Sequence, residues 1–384
     1  VLNTLANYVW YASSTPAQIV RSVLRPLSWV FGAAVARRNR TFDAQLQHRA
    51  SATSTARPRT SLPPALSVGN LTVGGTGKTP VAAWCVAQLR ARGANPAIVM
   101  RGVGDDEWRV HGLLNPRTHV IVSPDRTAGV LTAQSRGADC VVLDDAFQHR
   151  QAHRVADMVL LSADQWSPAV RLLPAGPYRE PLASLQRASI VVVTVKAAGE
   201  DRVNAALDAI QAAAPSVPVA VMRLTPGTLR LATSLRTGDG IQKQPRGTGN
   251  APREEFLTHP PSWLQGRRIH AVSAVGDPGA FEAQLRSLGA TVDYAHRYRD
   301  HHAFTARDAE TIAQQAHDAG TVVCTLKDAV KLGPLWPRAA PPLWYLSQTV
   351  VVVRGEAALN RVCDRVVASR HTTKLSAGAS GSAF

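Results

Sequence analysis

Through most of this chain, short apolar runs alternate with longer segments whose apolar residues recur at helical spacing. The runs Ala65 to Val68, Ala97 to Met100, His119 to Val122, Cys140 to Leu143, Met158 to Leu161 and Ile190 to Val195 are too short for helices and read as strands. Helical patterns lie between several of them, beginning with Val81 to Arg92. This alternation predicts an α/β fold, a mostly parallel sheet with helices on both faces and a ligand at the carboxyl ends of its strands. Beyond Lys196 the pattern predicts a helix over Glu200 to Ala214 and a strand over Val217 to Leu224, then a polar insertion from Thr225 to Gly266. A strand near Ile269, helices over Gly279 to Leu288 and after Thr305, and a strand over Thr321 to Cys324 form a second, smaller α/β region. The expected division is an arm and linker over residues 1–60, a first α/β domain over 61–199, a C-terminal α/β domain over 200–368 and a disordered tail over 369–384.

The arm has its own pattern. Ile19, Val23, Leu27 and Val30 recur at helical spacing, Thr15 and Gln18 make a capping box with Pro16 at the first helical position, and Pro26 is expected to start a second helix. The uncharged run between Arg25 and Arg37 is too short to span a bilayer. Two readings remain for this segment. One is an amphipathic helix lying on an anionic membrane surface, with Trp29 and Phe31 in its apolar part and Arg37, Arg38 and Arg40 at its end; the other is a helix packed on its own domain.

Composition narrows the class. A chain of 384 residues that is 45% hydrophobic is globular and long enough for two domains. Its net charge of +16 points to anionic partners, and the first sixty residues carry eight arginines against one aspartate. The basic residues are not interleaved with an aromatic platform, which argues against nucleic acid. Cys85, Cys140, Cys324 and Cys363 show no C-x-x-C spacing, so reduced buried thiols are expected rather than zinc or disulfides.

The chemistry is concentrated after the first strand. Gly74-Gly75-Thr76-Gly77-Lys78-Thr79 stands where that strand runs into a helix, the setting of a phosphate loop and of a P-loop NTPase-type sheet. Glycines let backbone N–H groups turn toward nucleotide phosphates, Lys78 can reach the β- and γ-phosphates, and the Thr79 hydroxyl can hold Mg²⁺. The first glycine of the general pattern is replaced by Thr72. Asp144 and Asp145 close an apolar strand in the manner of a Walker B element and are candidate Mg²⁺ ligands. The loop Arg101 to Glu107 can supply a carboxylate to take an acceptor proton, and Asp300-His301-His302 is open to metal binding, to acid–base work or to a solvated helix start.

Taken in order, these motifs resemble those of the tetraacyldisaccharide 4'-kinases of lipid A biosynthesis. The likeness runs from about Leu24 to Val352 and includes Arg25 to Trp29, Val68 to Pro80 with Thr72, Asp144 to His149, Leu173 to Pro181, Asp300 to Thr305 and Lys327 to Leu332. It implies ATP- and Mg²⁺-dependent phosphorylation of the 4'-hydroxyl of a lipid-linked disaccharide 1-phosphate, peripherally at the cytoplasmic face of the inner membrane. By the same resemblance Asp106 is the base, with Asp105 as the alternative. Its partner is His301 or else His302, Lys78 and Arg179 face phosphate, and Thr79, Asp144 and Asp145 serve the metal. The chain departs from the family pattern at Val103, at Ala146 in place of glycine and at Leu326 in place of glutamate. Oligomeric state is not legible. A membrane-associated ATPase switch of the deviant Walker type is the main rival, although Val73 stands where its hallmark lysine would be. An inactive relative that binds nucleotide and lipid is another.

Overall fold

The computed structural model describes residues 2–52, 62–102, 106–236, 258–318 and 320–378. The heart of the expected linker, the loop residues 103–105 with Asp105, the middle of the polar insertion (237–257) and the last six residues lie outside them. The chain forms two compact units, neither of them continuous in sequence. The first comprises residues 1–102, 118–224 and 350–384, the second 103–117 and 225–349. The boundary expected near residue 200 therefore does not divide them: Glu200 to Leu224 belongs with the first unit, and the chain returns to that unit for its last helix.

In the first unit, strands β1 (Ala65–Asn70), β2 (Pro96–Met100), β3 (Val120–Val122), β4 (Cys140–Asp144), β5 (Ala156–Ser162), β6 (Ile190–Val195) and the first half of β7 (Val219–Leu231) pair in the order β7-β6-β5-β1-β4-β2-β3. All of these pairings are parallel. Successive residues of one strand reach opposite faces, and both faces are covered. Ile190 and Val192 pack with helices α3 (Lys78–Ala91) and α10 (Glu356–Gly378), whereas Val191, Val193 and Val195 pack with α6 (Glu200–Ala213). This is why β6 is a nearly continuous apolar run, interrupted by Thr194, rather than an alternating one. Burying each such side chain contributes ~1.5–3 kcal/mol. The four cysteines are all buried free thiols.

The arm forms α1 (Leu2–Tyr11) and one continuous helix, α2 (Thr15–Ala52), which passes through Pro26 instead of restarting there. Proline removes one helical N–H, and α2 tolerates that loss at a position where Arg25 and Pro26 are exposed. The capping box does not form, because the Gln18 backbone N–H donates to the Ser14 carbonyl at 3.1 Å and its side-chain amide to the Ser13 carbonyl at 2.8 Å. Thr15 to Gln45 is long and apolar enough to cross a bilayer by length and composition alone, a possibility the short uncharged run had argued against.

The second unit contains α4 (Glu107–Leu114) and a sheet ordered β10-β9-β11-β12-β7, from β9 (Arg268–Ser273), β10 (Thr291–Arg297), β11 (Val322–Thr325) and β12 (Leu343–Arg354), with β8 (Thr258–His259) on β7. Helices α7 (Pro278–Ser287), α8 (Ala306–Gln315) and α9 (Leu326–Leu332) complete it. The start of the expected polar insertion is strand: β7 continues through Pro226 and Gly227 to Leu231, with Leu229 fully buried. The expected disordered tail begins as helix, since α10 runs to Gly378.

Candidate functional site

β1 ends at Asn70, and the chain turns through Thr72 to Gly77 into α3. Gly77 stands at the helix N-cap with φ +81°, which disfavours any side chain, and a Cβ there would lie 2.5 Å from Leu224 Cδ1, so the buried Leu224 side chain would have to shift. Gly74 also has a positive φ, +123°. Thr72 needs no glycine, because it forms an extended bridge to Tyr178 while the Val73 N–H donates to the Pro177 carbonyl at 2.8 Å. The Thr76 side chain faces inward: its hydroxyl accepts from the Asn70 amide at 2.9 Å and its carbonyl accepts from the Thr194 hydroxyl at 2.9 Å. The Thr76 N–H donates to the Gly74 carbonyl at 3.1 Å, so both its side chain and its backbone are engaged inside the protein, whereas Gly75 has open space beside it.

β4 lies beside β1, with Asp144 opposite Val68, and carries the paired acids to the same end of the sheet. Asp145 has φ +49°, the residue following it does not, and Ala146 is buried in the core. The positive φ falls on the aspartate, so alanine in the next position costs nothing in backbone strain. Arg179 forks onto Asp145, with Nη2 3.0 Å from Oδ1 and Nη1 3.4 Å from Oδ2, and also donates to Asn70. Lys78 Nζ is 4.0 Å from Asp145 Oδ1. Burial pushes the Asp145 carboxyl up, but Lys78 and Arg179 outweigh it and hold the group below its usual range. Arg126, 3% exposed, donates to the Asp144 carbonyl at 3.2 Å. Carboxylates and the Thr79 hydroxyl are hard oxygen donors, and that donor set fits Mg²⁺.

The second unit holds a separate cluster around Asp106, the residue before α4. Asp106 is 2% exposed, with His301 Nδ1 3.5 Å from Oδ1 and Lys331 Nζ 3.4 Å from Oδ2. Burial pushes its carboxyl up, but His301, Lys331 and Lys327 prevail and hold it far below the ordinary carboxylate range. Contact with Asp106, reinforced by Asp300 and opposed by burial, raises the affinity of His301 for its proton. His301 has φ +59°, a conformation costly for a non-glycine residue, and its N–H donates to the Ala274 carbonyl at 3.2 Å. His302 turns away to Asp308 at 3.2 Å and stacks on Tyr298. Of the two histidines, only His301 faces Asp106. Glu107 pairs with Lys327 at 3.5 Å.

The structure thus gathers Lys78, Asp145 and Arg179 in one unit and Asp106 and His301 in the other. Asn70, Arg126 and Lys331 belong to these clusters and were missed as site residues. Only Lys331 carried a signal, its place four residues after Lys327 on one face of α9.

A glycine-bound loop between a parallel strand and a helix, with lysine at its end and two aspartates at the carboxyl end of the neighbouring strand, defines a P-loop nucleotide-binding protein. Residues 20–368 match the family model described as LpxK, tetraacyldisaccharide-1-P 4'-kinase. The chain belongs to this kinase family. It is similar to the tetraacyldisaccharide 4'-kinase of Halorhodospira halophila, at 34% identity over 88% of this chain and 90% of the relative, and to that of Anaeromyxobacter sp. Fw109-5, at 34% over 96% and 98%. Its fold resembles the crystal structure of LpxK from Aquifex aeolicus in complex with ATP, with a TM-score of 0.62, 25% identity and coverage of 91% of this chain and 99% of that one.

Proposed function

We propose that this kinase transfers the γ-phosphoryl group of ATP to the 4'-hydroxyl of a tetraacyldisaccharide 1-phosphate, giving lipid IV-A. The hydroxyl oxygen bonds to the γ-phosphorus as the bond to the β–γ bridging oxygen breaks. ADP leaves, and the hydroxyl proton passes to the Asp106 carboxylate. The loop from Gly74 to Gly77 presents N–H groups to the phosphates, and Lys78 neutralises the transferring group. Arg179 keeps Asp145 ionised and offers its remaining donors to phosphate. Mg²⁺, when bound, spreads the charge of the β- and γ-oxygens; Thr79, Asp144 and Asp145 would hold it. Asp106 is a weak base in the resting enzyme, which suits phosphoryl transfer, because the acceptor proton becomes acidic only as the new bond forms. His301 orients the carboxylate and balances its charge.

The observation that carries this reading is the contact of Asp106 with His301, a buried carboxylate and an imidazole from a strained loop far away in sequence. The exposed apolar residues Ile19, Val23, Leu27 and Val30 of α2 support peripheral attachment to the cytoplasmic face of the inner membrane. The test is a transfer assay with γ-labelled ATP and tetraacyldisaccharide 1-phosphate in detergent micelles, using wild type, Asp106→Ala and Lys78→Ala. Label should enter lipid only in the wild type. ATP hydrolysis indifferent to the lipid would sink the reading and favour a switch.

A further inference from the structure

Between α1 and α2 lies a cavity of about 410 Å³ whose lining includes Arg21, Arg25 and Arg171, together with Trp10, Tyr11 and Ser167. No aspartate or glutamate lines it. Arg21 is fixed: it is 8% exposed, and its Nη1 donates to the carbonyls of Val9 at 2.7 Å and Ala12 at 2.8 Å. Arg25 follows one turn later on the same face of α2. Arg171 arrives from a different segment, which is clamped against α2. The Ser28 hydroxyl donates to the Leu172 carbonyl at 2.9 Å, and a Cβ on Gly32 would stand 2.9 Å from Leu172 Cδ1.

The backbones that carry the three arginines are thus held beside one another, with Arg21 buried and fixed and Arg25 at the exposed rim, and none of the three has a carboxylate within ion-pairing distance among the described residues. Like charges held together in a partly buried site repel, and burial with the charges of Arg21 and Arg25 weakens the hold of Arg171 on its proton. An anion with several oxygens reverses that penalty, since guanidinium forks match phosphate in pairs. The same face of α2 continues to Trp29, which is 71% exposed, so the polar floor is followed by an aromatic residue of the kind that sits at headgroup level.

We propose that this pocket binds the phosphate of an anionic phospholipid headgroup and so fixes the depth and rotation of α2 on the membrane. The site needs no turnover, so it stands or falls separately from the kinase reading.

The experiment is co-sedimentation of the full chain with phosphatidylcholine vesicles, with and without phosphatidylglycerol, for wild type, Arg25→Ala/Arg171→Ala and Arg37→Ala/Arg40→Ala. The two double variants lose equal charge, and Arg21 is left in place because it holds α1. The pocket variant should lose at least about tenfold in affinity for phosphatidylglycerol vesicles. The control should lose distinctly less, and an Arg25→Lys/Arg171→Lys variant, which keeps charge without the fork, should fall between. KM for the disaccharide substrate in neutral detergent should not change. Equal losses in the two alanine variants would reduce the pocket to general charge and overturn the proposal. A raised KM with unchanged vesicle binding would also overturn it and assign the pocket to the substrate's own phosphate.

Discussion

Lys331 Nζ stands 3.4 Å from Asp106 Oδ2 and balances the charge of that buried carboxylate at the oxygen that His301 does not approach. The same ammonium is 3.6 Å from Asp328 Oδ1, a carboxyl that burial pushes upward although Thr325, the Ala274 N–H and Lys331 oppose the shift. One lysine thus serves two buried acids. Lys331→Met should raise the Asp106 carboxyl toward neutrality and move the acid limb of the kcat–pH profile upward. It should also destabilise the fold by about 3–5 kcal/mol, as loss of one partner from a buried ion pair does. Lys331→Arg should restore part of both, and an unmoved acid limb in Lys331→Met would refute the electrostatic role.

Asp106→Asn should leave ATP affinity unchanged and lower kcat for lipid phosphorylation by about 10²–10⁴. Isothermal titration with ATP separates this outcome from misfolding. A variant that kept wild-type kcat would remove Asp106 from the chemistry.

The pair with His301 has a defined pH window. The imidazole is raised from its ordinary value of 6.5, so its contribution to stability is complete below 6.5 and is lost as pH rises through the raised value. The carboxyl is lowered from 3.8, so its contribution is present above 3.8 and is lost only as pH falls through the lowered value. Because the His301 side chain is 39% exposed, solvent screening keeps its share below ~1 kcal/mol. Urea unfolding of wild type and His301→Ala should differ more at about pH 6 than at about pH 9. A difference that grew with pH would contradict the pairing.

Gly77→Ala meets two obstacles, a φ of +81° and Leu224 at 2.5 Å. It should cost about 1–2 kcal/mol from backbone conformation alone and more from the clash. Thermal unfolding reports the loss, and ATP affinity should fall with it. Gly77→Ala/Leu224→Ala should recover the steric part while leaving the backbone part.

Arg179 holds Asp145 through two nitrogens, so Arg179→Lys should not substitute for it. Both Arg179→Lys and Arg179→Ala should weaken ATP binding in the presence of Mg²⁺, with lysine recovering little. Equal affinity in Arg179→Lys and wild type would show that charge alone suffices.

The donor side was legible because it is local. A strand, a glycine turn and Lys78 lie within a few residues, and Asp144 with Asp145 is announced by the apolar run before it. The other cluster was half legible. Asp106 and His301 came from motifs that resemble a family, whereas Lys331 acquires its meaning only when α9 packs beside the residue that starts α4. Pattern misled where tertiary pairing overrode it. Pro226 and Gly227 spell a loop, yet β7 runs through them because β12 lies alongside and the Ser347 hydroxyl donates to the Thr228 carbonyl at 2.8 Å. Pro26 spells a helix start, yet α2 continues, since the docking of this long helix through Ser28 offsets a cost of about 3 kcal/mol for an interior proline.

The return of the chain to its first unit sets the order in which the enzyme can be made. α3, which carries the phosphate loop at its start, packs in one apolar cluster with Leu359, Val362, Cys363 and Val366 of α10. During synthesis that cluster stays open while the whole of the second unit is translated, and it closes only when α10 has left the ribosome. The phosphate loop is encoded early, whereas the helix that covers the apolar face of α3 is translated only after the second unit.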